Sequence, residues 1–140
     1  MDFEKFSLKK YRHFELYLHQ EQFPYIGRSY AWSLRDDAKE IRDMKRGELI
    51  ELHQEIFPEW ENSVRKLFGS NWSNLAIFGN TSPHLHAHLI PRYESLVRFS
   101  GIEFVDKNPR GNYSPYQKMS LNEEVLFGIR DLMKCEIQNN

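Results

Sequence analysis

The sequence predicts an α+β domain in which two main helices pack on a mostly antiparallel sheet. Three observations lead to this fold class. Several segments alternate apolar and polar residues with a period of two, and they follow one another closely, which favours antiparallel pairing through short turns. Two longer segments instead place apolar residues at helical spacing. The chain has 140 residues and no repeated or linker-like segment, so we expect a single domain over residues 1–140.

The first two predicted strands show the alternation most clearly. Residues 14–19 alternate phenylalanine and leucine with glutamate, tyrosine and histidine. Residues 30–34 alternate tyrosine, tryptophan and leucine with alanine and serine. Asp36 and Asp37 are expected to end the second strand, because their short polar side chains compete for backbone hydrogen bonds.

The period changes between Met44 and Phe68, where apolar residues fall at three- and four-residue spacings. This spacing predicts an amphipathic helix. Pro58 lies inside the segment and predicts a kink or a restart, because an interior proline loses a hydrogen bond and clashes with the preceding turn. Gly69 is expected to end the helix.

The rest of the chain predicts two further strands and one helix. The apolar run 75–78 predicts a buried strand followed by a turn, and residues 84–92 alternate again. Residues 93–115 are rich in turn-forming residues and are expected to contain little strand. Ser120 and Glu123 have the spacing of a capping box, which predicts a last helix of about four turns.

Composition and charge exclude several function classes. The formal net charge is −1, so the chain lacks the basic surface expected for binding nucleic acid or anionic membranes. Residues 1–10 carry early acidic residues and no apolar region, so we expect no signal peptide. Cys135 is the single cysteine, which rules out an internal disulfide and favours a reducing compartment. We therefore expect a cytoplasmic protein with neither a nucleic-acid nor a membrane partner.

Three histidines at alternating positions are the strongest functional signal. His84, His86 and His88 share one face if the segment is a strand, while Leu85 and Ala87 point into the core. A solvated polar face on an edge strand is the simplest alternative. Such faces are usually built from threonine, lysine or glutamate, so histidine at all three positions favours chemistry.

Two chemistries fit these imidazoles. Paired imidazoles on a strand can bind zinc or iron with a further ligand from elsewhere, for which His53 and Glu51 are the nearest candidates by residue type. His53 lies on the apolar helix stripe, so we expect it in the core. Alternatively, a neutral imidazole with a pKa of about 6.5 is a competent nucleophile at phosphorus, and neighbouring histidines can move protons.

The sequence around these histidines resembles the histidine triad (HIT) family, whose signature alternates three histidines with apolar residues. Residues 84–90 match every position of it and continue into Pro91-Arg92. The turn 26–28, Ile-Gly-Arg, resembles the Pro-Gly-His or Pro-Gly-Arg turn of the family. The resemblance spans residues 14–93 and is nearest to the branch of dinucleoside polyphosphate hydrolases, whereas residues 94–140 match only loosely.

The resemblance implies a catalytic role for each histidine. His86 would be the nucleophile and form a nucleotidyl-histidine intermediate, His84 would help to orient and bind phosphate, and His88 would set the proton on His86 or on the leaving group. It also implies that Asn80 and Thr81 bind the substrate. Arg28 departs from the family, because many relatives have histidine there, but an arginine would suit a phosphate. We expect Arg28 to bind the substrate, and also Arg92, which lies on the same predicted face as the histidines. The Cys-x-x-Cys of zinc-carrying relatives is absent, so we expect no metal site and no required cofactor.

The implied activity is that of a nucleotide hydrolase or nucleotidyl transferase, which cleaves nucleotide conjugates of the dinucleoside polyphosphate or phosphoramidate type at the α-phosphate. A HIT-fold regulatory protein that binds nucleotides, or a metalloenzyme built on the three histidines, remains as an alternative. The family also implies a homodimer that shares one sheet. An unpaired sheet edge would favour it, as would the apolar helix surface formed by Phe57, Trp60, Leu67 and Phe68.

Overall fold

A five-stranded antiparallel sheet forms the centre of the computed structural model, which describes residues 3–139. Its strands are β1 (Ser7–Lys10), β2 (Phe14–Leu18), β3 (Ser29–Ser33), β4 (Trp72–Ala76) and β5 (His86–Arg92). They lie in the order β1-β2-β3-β5-β4, and every neighbouring pair is antiparallel. The predicted α+β class is confirmed.

The long helix predicted around Pro58 is continuous but irregular. It consists of α1 (Arg46–Glu51), a π-helical turn (Leu52–Ile56) and α2 (Phe57–Phe68). In the π-helical turn the Phe57 N–H donates to the Leu52 carbonyl, five residues back. The helix therefore departs from α-helical geometry just before Pro58, where a kink or a restart was predicted. The helix ends as predicted at Gly69, which has a φ of 76°.

The last helix, α3 (Glu123–Gln138), has its N-cap at Asn122, two residues beyond the predicted cap Ser120. The Asn122 side chain accepts a hydrogen bond of 2.9 Å from the backbone N–H of Val125. The capping box predicted from Ser120 is therefore wrong, because Asn122 satisfies the first turn instead.

Both helices supply side chains to a core on one face of the sheet. Trp60 is fully buried, and its indole Nε1–H donates to the Gly27 carbonyl at 3.0 Å and to Ser29 Oγ at 3.1 Å. Gly27 has a φ of 95°, and a Cβ there would lie 2.5 Å from Val64 Cγ1. Helix α2 therefore fixes the backbone that leads into β3.

Two sequence predictions about strands are corrected. The run 75–78 is not a buried strand: β4 begins earlier, at Trp72, and lies at the sheet edge, where Leu75 and Phe78 remain 42% and 51% exposed. The region 93–115 contains a short hairpin of β6 (Val97–Phe99) and β7 (Ile102–Phe104). Within residues 3–139 no helix is long and apolar enough to cross a lipid bilayer.

Candidate active site

The three histidines lie together on the sheet face opposite the helices. His86 and His88 are in β5, and His84 lies two residues before its first residue; all three are half-buried. Leu85 and Ala87 are fully buried on the other face, as predicted. Because β5 lies between β3 and β4, the histidines occupy the interior of the sheet rather than an edge.

The backbone sets the tautomer of the neutral His86 ring. His86 Nδ1 lies 2.6 Å from the carbonyl oxygen of His84. A carbonyl oxygen only accepts hydrogen bonds, so Nδ1 carries the proton. In the neutral ring the lone pair is then on Nε2. This arrangement prepares Nε2 of His86 for nucleophilic attack.

The His84 side chain is held by two other contacts. Its ring stacks on Trp32, with centroids 4.0 Å apart and planes 6° from parallel. Its Nε2 lies 2.7 Å from the carbonyl oxygen of Ser33, to which it donates. The backbone carbonyl of His84 orients the His86 ring, whereas the His84 ring itself is held by Trp32 and Ser33. Of the two ring nitrogens of His84, Nδ1 is left for the phosphate-binding role that the resemblance implies.

A fourth histidine, His19, joins the cluster from the end of β2. Its ring centroid lies 6.2 Å from that of His88, and its Nδ1 accepts a hydrogen bond of 3.0 Å from the Glu21 N–H. Burial, with the positive charge of Arg28 and the neighbouring histidines, lowers the pKa of His19 to about 3. Burial, His86 and Arg28 lower the pKa of His88 to about 4. Both rings are therefore neutral near pH 7.

These lowered pKa values predict a pH-dependent stability. Their ordinary value is 6.5, so between pH 6.5 and about 4 the unfolded chain binds more protons at His19 and His88 than the folded chain does. The free energy of unfolding should therefore fall as the pH is lowered through this range. Above pH 6.5 both histidines are neutral in the folded and the unfolded chain, and they destabilise the fold no further. Urea denaturation at pH 7 and pH 5 measures the difference, and His19→Gln should reduce it. Equal stability at both pH values would contradict the assignment.

Two adjoining clefts open on His86 and His88. One, of about 500 Å³, is walled by Tyr30 and Trp32 and also contains His19. The other, of about 380 Å³, contains Asn80, Thr81, Phe78 and Tyr113. The structure thus places Asn80 and Thr81 in a cleft with His86 and His88, and their binding of substrate stays a prediction.

Arg28 lies under the C-terminal segment rather than in an open cleft. Its side chain is 5% exposed, and its guanidinium donates to the Tyr116 hydroxyl at 2.8 Å. The rings of Tyr113 and Tyr116 flank it, with centroids 5.5 and 5.3 Å from its central carbon. Tyr113 and Tyr116, which lie in the part of the chain that resembles the family least, therefore cover Arg28.

Arg92 does not reach the site, which corrects its predicted role in substrate binding. It is 1% exposed, and its guanidinium forms two hydrogen bonds to the Asp106 carboxylate, at 2.8 and 3.1 Å. Its remaining donors bond to Asn74, Gly111 and Asn108. With every donor used, Arg92 fixes the 106–111 segment instead of binding a phosphate.

His53 and Glu51, the further metal ligands suggested by residue type, are not placed to bind a metal ion together with His84, His86 and His88. His53 is exposed, not in the core as expected, because the buried face of the helix follows Leu52, Ile56 and Trp60, and His53 lies beside that row. Glu51 is buried and accepts a hydrogen bond of 2.8 Å from the His13 N–H. Among residues 3–139, no group of three or more histidine, cysteine, aspartate or glutamate side chains is arranged to bind a metal ion.

Comparison with solved structures identifies the fold. The chain is similar to a histidine triad protein from Bradyrhizobium japonicum, with 17% identity, a TM-score of 0.70, and 94% of this chain and 89% of that one covered. It is also similar to a histidine triad protein from Marinobacter aquaeolei, with 18% identity and a TM-score of 0.71, and 95% of this chain and 88% of that one are covered. With the diadenosine triphosphate hydrolase of Plasmodium falciparum it shares 16% identity at a TM-score of 0.66, and 100% of this chain and 80% of that one are covered.

The chain therefore has the histidine triad fold. No protein-family model matches the sequence, and no curated protein matches it either. The low identities to the solved structures establish the fold alone, and function depends on the residues of the site.

Proposed function

We propose that this protein is a nucleotide hydrolase or nucleotidyl transferase that cleaves nucleotide conjugates at the α-phosphate. The observation that carries the proposal is the 2.6 Å hydrogen bond from His86 Nδ1 to the His84 carbonyl. It leaves Nε2 of His86 as the unprotonated atom of a ring that lines both clefts. A lone pair fixed in position beside a substrate-sized cleft is what attack at phosphorus requires.

The reaction takes place in two steps. In the first, His86 Nε2 attacks the α-phosphorus, an N–P bond forms, and the bond to the leaving group breaks with its electron pair on the leaving atom. The positive charge gained by the His86 ring is stabilised by the His84 carbonyl at Nδ1. In the second step water attacks the phosphorus and gives up a proton to the solvent, the N–P bond breaks with its electron pair returning to His86 Nε2, and nucleoside monophosphate is released. Another acceptor in place of water would make the reaction a transfer.

The clefts provide groups suited to such a substrate. The aromatic walls formed by Tyr30 and Trp32 suit the flat, partly apolar nucleoside. Asn80 and Thr81 offer an amide and a hydroxyl beside His86 for phosphate oxygens. The similarity to a diadenosine triphosphate hydrolase is consistent with a substrate of this class.

A substrate panel tests the proposal. Purified protein should release nucleoside monophosphate from diadenosine polyphosphates, adenosine phosphoramidates or AMP-lysine, with products identified by chromatography and mass. Tight binding of these compounds without turnover would contradict it and favour a nucleotide-binding regulatory protein.

Metal removal supplies a further prediction. We propose that catalysis requires no metal or other cofactor, because the His86 lone pair is prepared by the backbone alone. Activity should therefore survive exhaustive chelation within about twofold. The control is metal analysis of the same sample. Bound zinc or iron whose removal abolishes turnover would favour the metalloenzyme.

We also propose a homodimer joined at β4. Within the described residues 3–139 this strand pairs only with β5, so its other edge leaves backbone groups free, and Leu75 and Phe78 are exposed beside it. Helix α2 offers less exposed apolar surface to a second subunit than the sequence suggested. Trp60 is fully buried, and Phe57, Leu67 and Phe68 pack on the core of the same chain. Light scattering should give twice the chain mass of 16.8 kDa. An active monomer at high concentration would contradict this.

We place this enzyme in the cytoplasm, with small nucleotide conjugates rather than nucleic acid or membranes as its partners. The single cysteine, Cys135, is exposed and unpaired, which suits a reducing compartment. Fractionation of cells expressing the tagged protein tests the location.

A further inference from the structure

Trp32 borders the ring of the proposed nucleophile. It pairs with His86 across β3 and β5, and the centroids of the two rings lie 5.4 Å apart, with their planes at 33°. The neighbouring Ser33 N–H donates to the Leu85 carbonyl at 3.0 Å. Trp32 and His86 are therefore a non-hydrogen-bonded pair, the kind in which facing side chains lie closer together.

Other aromatic contacts fix the orientation of the Trp32 ring. The His84 ring stacks on it, with centroids 4.0 Å apart. Tyr30 meets it nearly edge-on, at 76° and 6.3 Å between centroids, and Phe3 lies 6.5 Å away at 21°. Stacked and edge-to-face arrangements of this kind are favourable for aromatic pairs. The indole is therefore held in place beside His86 while the chemistry proceeds.

The covalent adduct on His86 carries a positive charge on the ring. Nδ1 keeps the proton that it donates to the His84 carbonyl, so once Nε2 is bonded to phosphorus the ring is a cation. Besides burial, the groups that lower the pKa of His19 and His88 are Arg28 and the neighbouring histidines, so the surroundings disfavour a further positive charge. Among residues 3–139, no carboxylate forms an ion pair with His86.

We infer that Trp32 is a positioning residue of the nucleophile, whose π face stabilises the positively charged adduct on His86. The inference rests on the proposed function. Tryptophan is the most effective aromatic partner of a cation within about 6 Å of the ring centroid, and the observed 5.4 Å lies within this limit. The attraction exists only while the His86 ring is charged, so it acts on the adduct and not on the free enzyme.

This role predicts opposite effects of Trp32→Leu on the two chemical steps. The substitution keeps an apolar side chain and removes the π face. Because the ring gains its charge as the adduct forms and loses it as the adduct breaks down, formation should be slower and breakdown faster, each about threefold. A side chain that only shapes the cleft would slow formation without shortening the life of the adduct.

Inorganic phosphoramidate is a probe that separates this charge effect from nucleoside binding. His86 Nε2 attacks the phosphorus of its zwitterionic form, and the P–N bond breaks with its electron pair on the nitrogen, which leaves as ammonia. Water then attacks the phosphohistidine and gives up a proton to the solvent, the electron pair of the N–P bond returns to Nε2, and inorganic phosphate is released. The probe contains no nucleoside, so loss of an aromatic wall for the nucleoside cannot change the lifetime of phospho-His86.

The experiment measures the lifetime of phospho-His86 by peptide mapping after the reagent is removed. The lifetime should be about threefold shorter in Trp32→Leu than in the wild type, and about twofold shorter in Trp32→Phe, which keeps a weaker π face. Trp32→Phe also keeps the test open if Trp32→Leu fails to fold. Phosphohistidine at the exposed His53 is the internal reference and should be unchanged. Trp72→Leu is the matched control, because Trp72 pairs with Arg92 at the other end of β5.

The outcomes separate the role of Trp32 from the proposed function. Equal or longer lifetimes of phospho-His86 in the Trp32 variants would overturn the inference, as would an equal shortening in Trp72→Leu. Labelling of wild-type His86 that is slower than labelling of His53 would overturn it too. If no nucleotide conjugate is cleaved, the proposed function fails, while the lifetimes of phospho-His86 still decide whether Trp32 stabilises the charged ring.

Discussion

Replacing His86 by alanine should lower the release of nucleoside monophosphate by roughly 10⁴-fold or more, the scale seen when a covalent nucleophile is removed. The substitution deletes the nitrogen that His84 leaves unprotonated. His84→Ala should cost much less, because the group that orients His86 is the backbone carbonyl of residue 84, which alanine retains. Single-turnover assays with saturating enzyme measure the chemical step directly.

His53→Ala is the matched control for this experiment. It removes an exposed histidine from the helical segment and should leave turnover unchanged. Thermal melting of each variant separates a loss of catalysis from a loss of fold. Turnover by His86→Ala close to that of the wild type would contradict the assignment of the nucleophile. A loss in His84→Ala as large as that in His86→Ala would contradict the role of the carbonyl.

Asp106→Ala should lower the free energy of unfolding by about 3–5 kcal/mol, the range expected when one partner of a buried ion pair is removed. Asp106 is 8% exposed, and its carboxylate accepts from the Arg92 guanidinium at 2.8 and 3.1 Å. It also accepts from the Tyr93 N–H at 3.2 Å. The substitution leaves the Arg92 charge buried without a counter-ion. Urea denaturation at pH 7 gives the difference.

The exposed pair of Arg98 and Glu103 provides the control for this measurement. Their side chains are 73% and 56% exposed, and their charged atoms lie 2.9 Å apart. Glu103→Ala should therefore cost less than about 1 kcal/mol. Equal effects of Asp106→Ala and Glu103→Ala would contradict a structural role for Arg92 and reopen its assignment to substrate binding.

Local periodicity predicted the elements with enough repeats to display it. The alternation in residues 14–19 and 84–92 placed β2 and β5, and Pro58 marked the irregular helix. β1 was missed because its four residues contain one buried side chain, Leu8, so no alternation is visible. The strands of the β6–β7 hairpin have three residues each and are too short for a period.

The histidines of the site could be predicted because they are two residues apart along β5 and the extended chain just before it. The other side chains of the site, such as His19, could not be predicted, because pairing between strands brings them beside the histidines. His19 belongs to the site because its backbone N–H bonds to the Arg28 carbonyl at 2.9 Å, a contact that local pattern does not reveal. Arg92 has the expected position on β5 but is covered by the segment around Asp106. Burial by a segment distant in sequence thus removes Arg92 from the site, and the pattern around residue 92 does not show it.

The most direct test of the central claim is capture of the covalent intermediate on the wild-type protein. After rapid mixing with substrate and an alkaline quench, which preserves the acid-labile N–P bond, the protein should gain the mass of one nucleoside monophosphoryl group. Peptide mapping should place that group on His86. Turnover without any adduct on the protein, or an adduct found only on another residue, would contradict the claim that His86 is the nucleophile.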